Sequence, residues 1–112
     1  MKVIITDSFN KKFLSKMKKY FSTNDFVLEL KKEKPDIVLK EPIHKVKLKL
    51  NLVDFRWVIL ILFEDNIVPL LLFLKKNKQN WENIIWNTHK DKILDMQEKV
   101  SRDLENWNYK IF

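Results

Sequence analysis

The stretch FRWVILILFEDNIVPLLLFLKK, Phe55 to Lys76, holds nearly all the long apolar runs of the chain, yet it opens beside an arginine and closes on two lysines. A membrane-crossing helix and a buried pair of strands both compete for it. Crossing a bilayer as a helix takes about 20 unbroken apolar residues, and Glu64, Asp65 and Asn66 interrupt this run at its middle. Each half, Phe55 to Phe63 and Ile67 to Leu74, has the length of a strand. Asp and Asn tolerate the positive φ that tight hairpin turns demand. The stretch therefore reads as a hairpin of two central strands, with its apolar middle as core.

Immediately upstream the period becomes two. Val46, Leu48, Leu50 and Leu52 alternate with Lys45, Lys47, Lys49 and Asn51, the pattern of a half-buried strand with one apolar face and one row of lysines. Lysines on an outer strand are also a common way of keeping a sheet edge solvated, so the row by itself leaves a functional and a structural reading open. Arg56 shares its strand face with Val58, Leu60 and Leu62, and pairing with Asp54 or Glu64 is the structural account of it.

Toward the N-terminus, KVIIT (2–6) reads as a strand. Asp7 and Ser8 suit a helix N-cap, and Phe9, Phe13, Met17 and Tyr20 or Phe21 follow at helical spacing, so one amphipathic helix is expected to run to about Tyr20. A weaker helical stretch, FVLELKKEK, stops before Pro35, because the residue preceding a proline is pushed out of the helical region. Beyond Lys78 lies an Asn- and Trp-rich connector, QNWENIIWN. Thr88 and Asp91 then form a capping-box-like start, and Ile93, Met96 or Gln97, Val100, Leu104 and Trp107 fall on one face of a last helix. The order is β-α-α-β-β-β-α over a single domain, 1–112. That order predicts an α+β fold in which a small antiparallel sheet is packed by the N-terminal helices and a C-terminal helix.

Composition narrows the function classes. At 112 residues with 46% apolar and 33% charged content, one hydrophobic core is expected. The absence of cysteine removes disulfides, thiolate nucleophiles and Cys-based zinc sites, and His44 and His89 share no metal-ligand spacing, so no metal and no cofactor are expected. The first twelve residues carry an apolar run of only three, short of a signal-peptide core, which points to a cytoplasmic protein without a membrane segment. Against 20 lysines, Arg56 and Arg102 are the only arginines. Residues 1–53 carry 13 lysines against 6 acids, whereas residues 54–112 carry 9 basic against 9 acidic. The whole excess of +7 is thus segregated into one half, as a footprint for a polyanion would be.

The lysine row, the aromatic–Arg pair after a short turn and the last strand ending in Lys-Lys resemble the RelE/ParE superfamily of toxins from type II toxin–antitoxin systems, in its RelE-like branch. KVKLKLNLVDFRWVI stands in place of the family's basic strand, turn and aromatic–Arg strand, and NIVPLLLFLKK in place of its last strand with a basic end. The resemblance implies a metal-independent, ribosome-dependent mRNA endoribonuclease that inhibits translation. RNA carries its own nucleophile, the 2′-OH. The protein then has to bind the backbone, take a proton from that hydroxyl, stabilise charge on the phosphorus oxygens and protonate the leaving 5′-oxygen.

Clustered cations suit these tasks. Lys47 and Lys49, two apart on a strand, are expected to lower each other's pKa by like-charge repulsion, so that one can act as general base. Arg56 matches the family's arginine and suits a phosphorane-like transition state, since its planar guanidinium stays protonated. Lys76 matches the basic position that closes the last strand. Lys45, Lys75 and Lys78 would bind the RNA backbone. Among the other candidates, His44 and His89 are acid–base groups or plain surface histidines. Trp86, with Trp81 and Tyr109, would stack a base, while Trp81 and Trp86 could equally belong to the core, and Trp86 and His89 join the RNA-binding set.

The partners implied are mRNA, the ribosome and a small acidic antitoxin protein, possible as a toxin–antitoxin hetero-oligomer. Two alternatives share the fold: an inhibitor of DNA gyrase of the ParE kind, and a basic RNA-binding relative without catalysis, which the missing glycines suggest.

Overall fold

The computed structural model describes residues 1–33, 37–50, 54–73 and 86–112, with residues 54–56 described as backbone. It has an α+β fold. Strand β1 (Lys2–Thr6) leads into helix α1 (Asp7–Lys12), a single 3-10 turn (Leu14–Lys16) and helix α2 (Thr23–Lys32). Strands β2 (Ile37–Lys40), β3 (Ile43–Leu50), β4 (Asp54–Phe63) and β5 (Asn66–Phe73) follow, then helix α3 (Trp86–Glu105) and strand β6 (Tyr109–Ile111).

The six strands form one sheet in the order β2-β3-β4-β5-β1-β6. The expected β3-β4-β5 meander is present, and β4 and β5 are central strands. The sheet is mixed rather than antiparallel, because β1 runs parallel to β5 with Lys2 opposite Asn66 and Val3 opposite Ile67. Two edge strands, β2 and β6, are additions to the expected order; four and three residues long, they are too short to show a period. The hairpin turn is Glu64-Asp65. Asn66 already pairs with Phe63, and Glu64 takes the positive φ, 54°. At Pro69 the β4–β5 register shifts: Leu60 faces Pro69 and Ile59 faces Leu71, so Leu70 is an extra residue. Proline has no N–H to give a ladder, and a bulge accommodates that.

The first helix is shorter than its spacing suggested. Thr6, not Asp7 or Ser8, caps α1, its hydroxyl accepting from the Phe9 N–H at 3.3 Å. The helix ends at Phe13 (φ −122°, ψ −62°). On a straight α-helix Leu14 would point about 140° away from Phe9, yet both are buried, with Met17 and Phe21, in the same cluster. The tighter turn rotates Leu14 inward and aligns it with Met17 three residues on. Ser22 opens α2 through a reciprocal capping box, Asp25 N–H to Ser22 Oγ at 3.0 Å and Ser22 N–H to Asp25 Oδ2 at 3.2 Å.

Helices cover both faces. Phe9 on α1 and Phe26, Val27 and Leu30 on α2 pack with Val46, Leu48, Leu50, Val58 and Leu60 on one face of the sheet. Ile93, Met96 and Val100 of α3 pack with Ile59, Val68, Leu70 and Leu71 on the other. The α3 face was expected from its spacing, except that the helix begins at Trp86, two residues before Thr88, and Trp107 lies beyond its end with 80% of its surface exposed. Among the described residues, no helix is long and apolar enough to cross a membrane.

Candidate nucleic-acid interface

The alternation of β3 decides where its lysines stand. Val46, Leu48 and Leu50 are buried against α2, while Lys47 and Lys49 are exposed between them. Lys47 pairs across to Trp57 and Lys49 to Phe55. Helix α3 crosses the same face of the sheet, chiefly over β5 and β1, and Lys47 and Lys49 remain exposed on that face. Lys49 also lines a shallow cleft of about 270 Å³ with Asp25, Leu28, Glu29 and Lys32 of α2.

Lys45 differs from its two neighbours. It lies between Ile37 of β2 and Ile59 of β4, only 8% exposed, with its ammonium 4.9 Å from the centre of the Trp57 ring. Burial pushes its pKa down from the ordinary lysine value, because desolvation penalises the charged form. A second cation–ring pair sits nearby, where the ammonium of Lys40 lies 5.1 Å from the Trp86 ring at the start of α3. Both tryptophans are half-buried against the α3-side core, so Trp86 serves the core as well as the surface. One turn on, His89 stands edge-on to Phe73, ring centres 5.2 Å apart, and its Nδ1 is buried without a hydrogen-bond partner among the described residues. Phe73 pairs with Trp57. Lys45, Trp57, Phe73 and His89 thus form a linked strip of cation and rings.

His44 is not a surface residue. It is 6% exposed, and its Nε2 lies 3.5 Å from a carboxylate oxygen of Glu41.

Arg56 pairs with Leu48. Its position therefore shares the alternation of Leu48 and Val58 and is one residue out of step with Lys47 and Lys49, although all three occupy neighbouring rungs at one end of the sheet. Phe73, the last described residue of β5, lies at that end too, opposite Trp57. Lys75, Lys76, Lys78 and Trp81 follow it and lie outside the described residues, as do Asn51 and Leu52. Among the described residues, no group of three or more His, Asp or Glu side chains is placed to hold a metal ion.

Sequence spacing did not reveal that Trp57 lies under Lys45 or Trp86 beside Lys40. Both contacts depend on strand register or on helix placement, and the only trace of them in the chain is its unusual number of tryptophans. No family model matches the chain, and no curated protein and no solved structure is significantly similar to it.

Proposed function

We propose that this chain is a toxin of the RelE-like kind that binds messenger RNA across the outer end of β3 and cleaves it on the ribosome. The observation that carries this reading is the pair Lys47 and Lys49, exposed on one face of β3 at the end of the sheet that holds the start of β4 and Phe73 of β5. Their backbone positions are spaced along the strand by about 7 Å, comparable with the phosphate repeat of an extended RNA strand. Half-buried rings at Trp57 and Trp86 border the same face and suit base stacking. In this account Lys47 and Lys49 bind the backbone and move the 2′-OH proton, Arg56 and Lys76 stabilise charge on the phosphorus oxygens, and Lys75 and Lys78 extend the track. The cell carrying it would need an acidic antitoxin to cover that charge.

Primer extension on a reporter mRNA tests this directly. With ribosomes present, the protein is expected to produce discrete cleavage sites inside codons, and the Lys47→Ala/Lys49→Ala double variant is expected to lose them by at least 100-fold. Uncut transcripts with the unaltered protein would refute the nuclease reading.

The out-of-step position of Arg56 favours a second reading, in which the same lysine face binds RNA without cutting it. The two separate on one comparison. A binder retards RNA in the absence of any cleavage and slows translation only in proportion to its occupancy.

A further inference from the structure

Helix α3 ends in an arrangement that usually calls for glycine. The Asn108 N–H donates to the Asp103 carbonyl at 2.8 Å and the Trp107 N–H to the Leu104 carbonyl at 3.4 Å, the two bonds of a Schellman cap with Trp107 at its left-handed position. Trp107 has φ 61°. Only glycine, and to a lesser degree asparagine, takes this conformation readily. Asparagine stands on either side, at 106 and 108, so the less favourable residue occupies the left-handed site. The indole also gains nothing from burial, being 80% exposed.

The cap is nevertheless firmly placed. Asp7 N–H donates to the Asn108 carbonyl at 3.0 Å, and Ser8 N–H to Asp103 Oδ2 at 2.8 Å, tying the turn to the start of α1. The indole lies nearly parallel to the ring of Tyr109, with centroids 6.2 Å apart and planes 21° apart. Asn106 and Asn108, on either side of it in the chain, are exposed, and so is Lys110 one residue beyond Tyr109. A fixed, solvent-facing ring with amides and an ammonium on the same short segment has the three elements that hold single-stranded nucleic acid: a face to stack on, donors and acceptors for base edges, and a charge for phosphate.

We propose that Trp107, supported by Tyr109, is a stacking site for one base of single-stranded RNA, on the edge of the sheet remote from β3. This rests on the RNA-binding reading of the lysine face and adds a second anchor to it. Four strand spacings separate β3 from β6 in the sheet order, roughly 19 Å, so an oligonucleotide of two residues cannot engage both, whereas one of twelve can.

Labelled 2- and 12-residue oligoadenylates titrated against the protein, with anisotropy as the readout, test the proposal. Trp107→Asn keeps a residue suited to the left-handed cap and removes the indole. It is expected to raise the melting temperature by a few degrees and to weaken binding of the 12-mer about tenfold or more. Trp107→Phe is expected to restore most of the 12-mer affinity. Full affinity of Trp107→Asn for the 12-mer would overturn this inference alone, and would leave the exposed ring pair to a protein partner. Failure of the unaltered protein to bind either oligonucleotide would overturn it together with the reading of the lysine face.

Discussion

Lys45, Lys47 and Lys49 look equivalent on paper, and their surroundings make them different. Lys45 is enclosed by strands on both sides and capped by an indole; the other two face solvent. A lysine whose folded pKa lies below its unfolded value binds fewer protons in the folded state. Stability then rises with pH between the depressed folded value and the ordinary one of 10.5, and the cost of holding the charge is fully present below that window. Urea unfolding at pH 7 and at pH 10 should therefore show the parent protein gaining stability relative to Lys45→Met on the alkaline side. Equal pH dependence of the two proteins would mean that Lys45 is not desolvated. The periodicity of the strand was legible, but the burial of its first lysine was not, since the covering residue, Ile37, belongs to a strand with no period of its own.

Elements with a strong local cause were the readable ones. The central hairpin announced itself through two apolar runs and an acidic break, and α3 through a clean row of Ile93, Met96 and Val100. The start of α2 was hidden because Ser22 sits in STND, which reads equally well as the stop of a preceding helix. Ser22→Ala removes one partner of the capping box and is expected to cost about 1 kcal/mol, a fall of roughly 4–8 °C in melting temperature for a domain near this size. An unchanged melting temperature would show that α2 is held by Phe26 and Leu30 alone. Two features could not be read from local sequence at all. The parallel contact of β1 with β5 is long-range, and a short apolar strand carries the same pattern in either direction. The position of Arg56 opposite Leu48 depends on register, which a slip of one residue would have reversed.

Across the whole molecule, charge and cover are arranged together. Both faces of the sheet are roofed by helices, and the half of the chain that carries all of the net charge also contributes β3. The lysines of α1 and α2 give the same charge at other places, so a general attraction for polyanions and a specific track on β3 make different forecasts. Single-stranded RNA affinity loses about 0.7 in the slope of log K against log salt for each phosphate contact removed. The deciding measurement is therefore the salt dependence of RNA binding for the parent, for Lys47→Ala/Lys49→Ala and for the charge-matched Lys11→Ala/Lys12→Ala. A slope shallower by about 1.4 for the β3 pair, with the α1 pair close to the parent, is the result this account requires; equal slopes for the two double variants would contradict it.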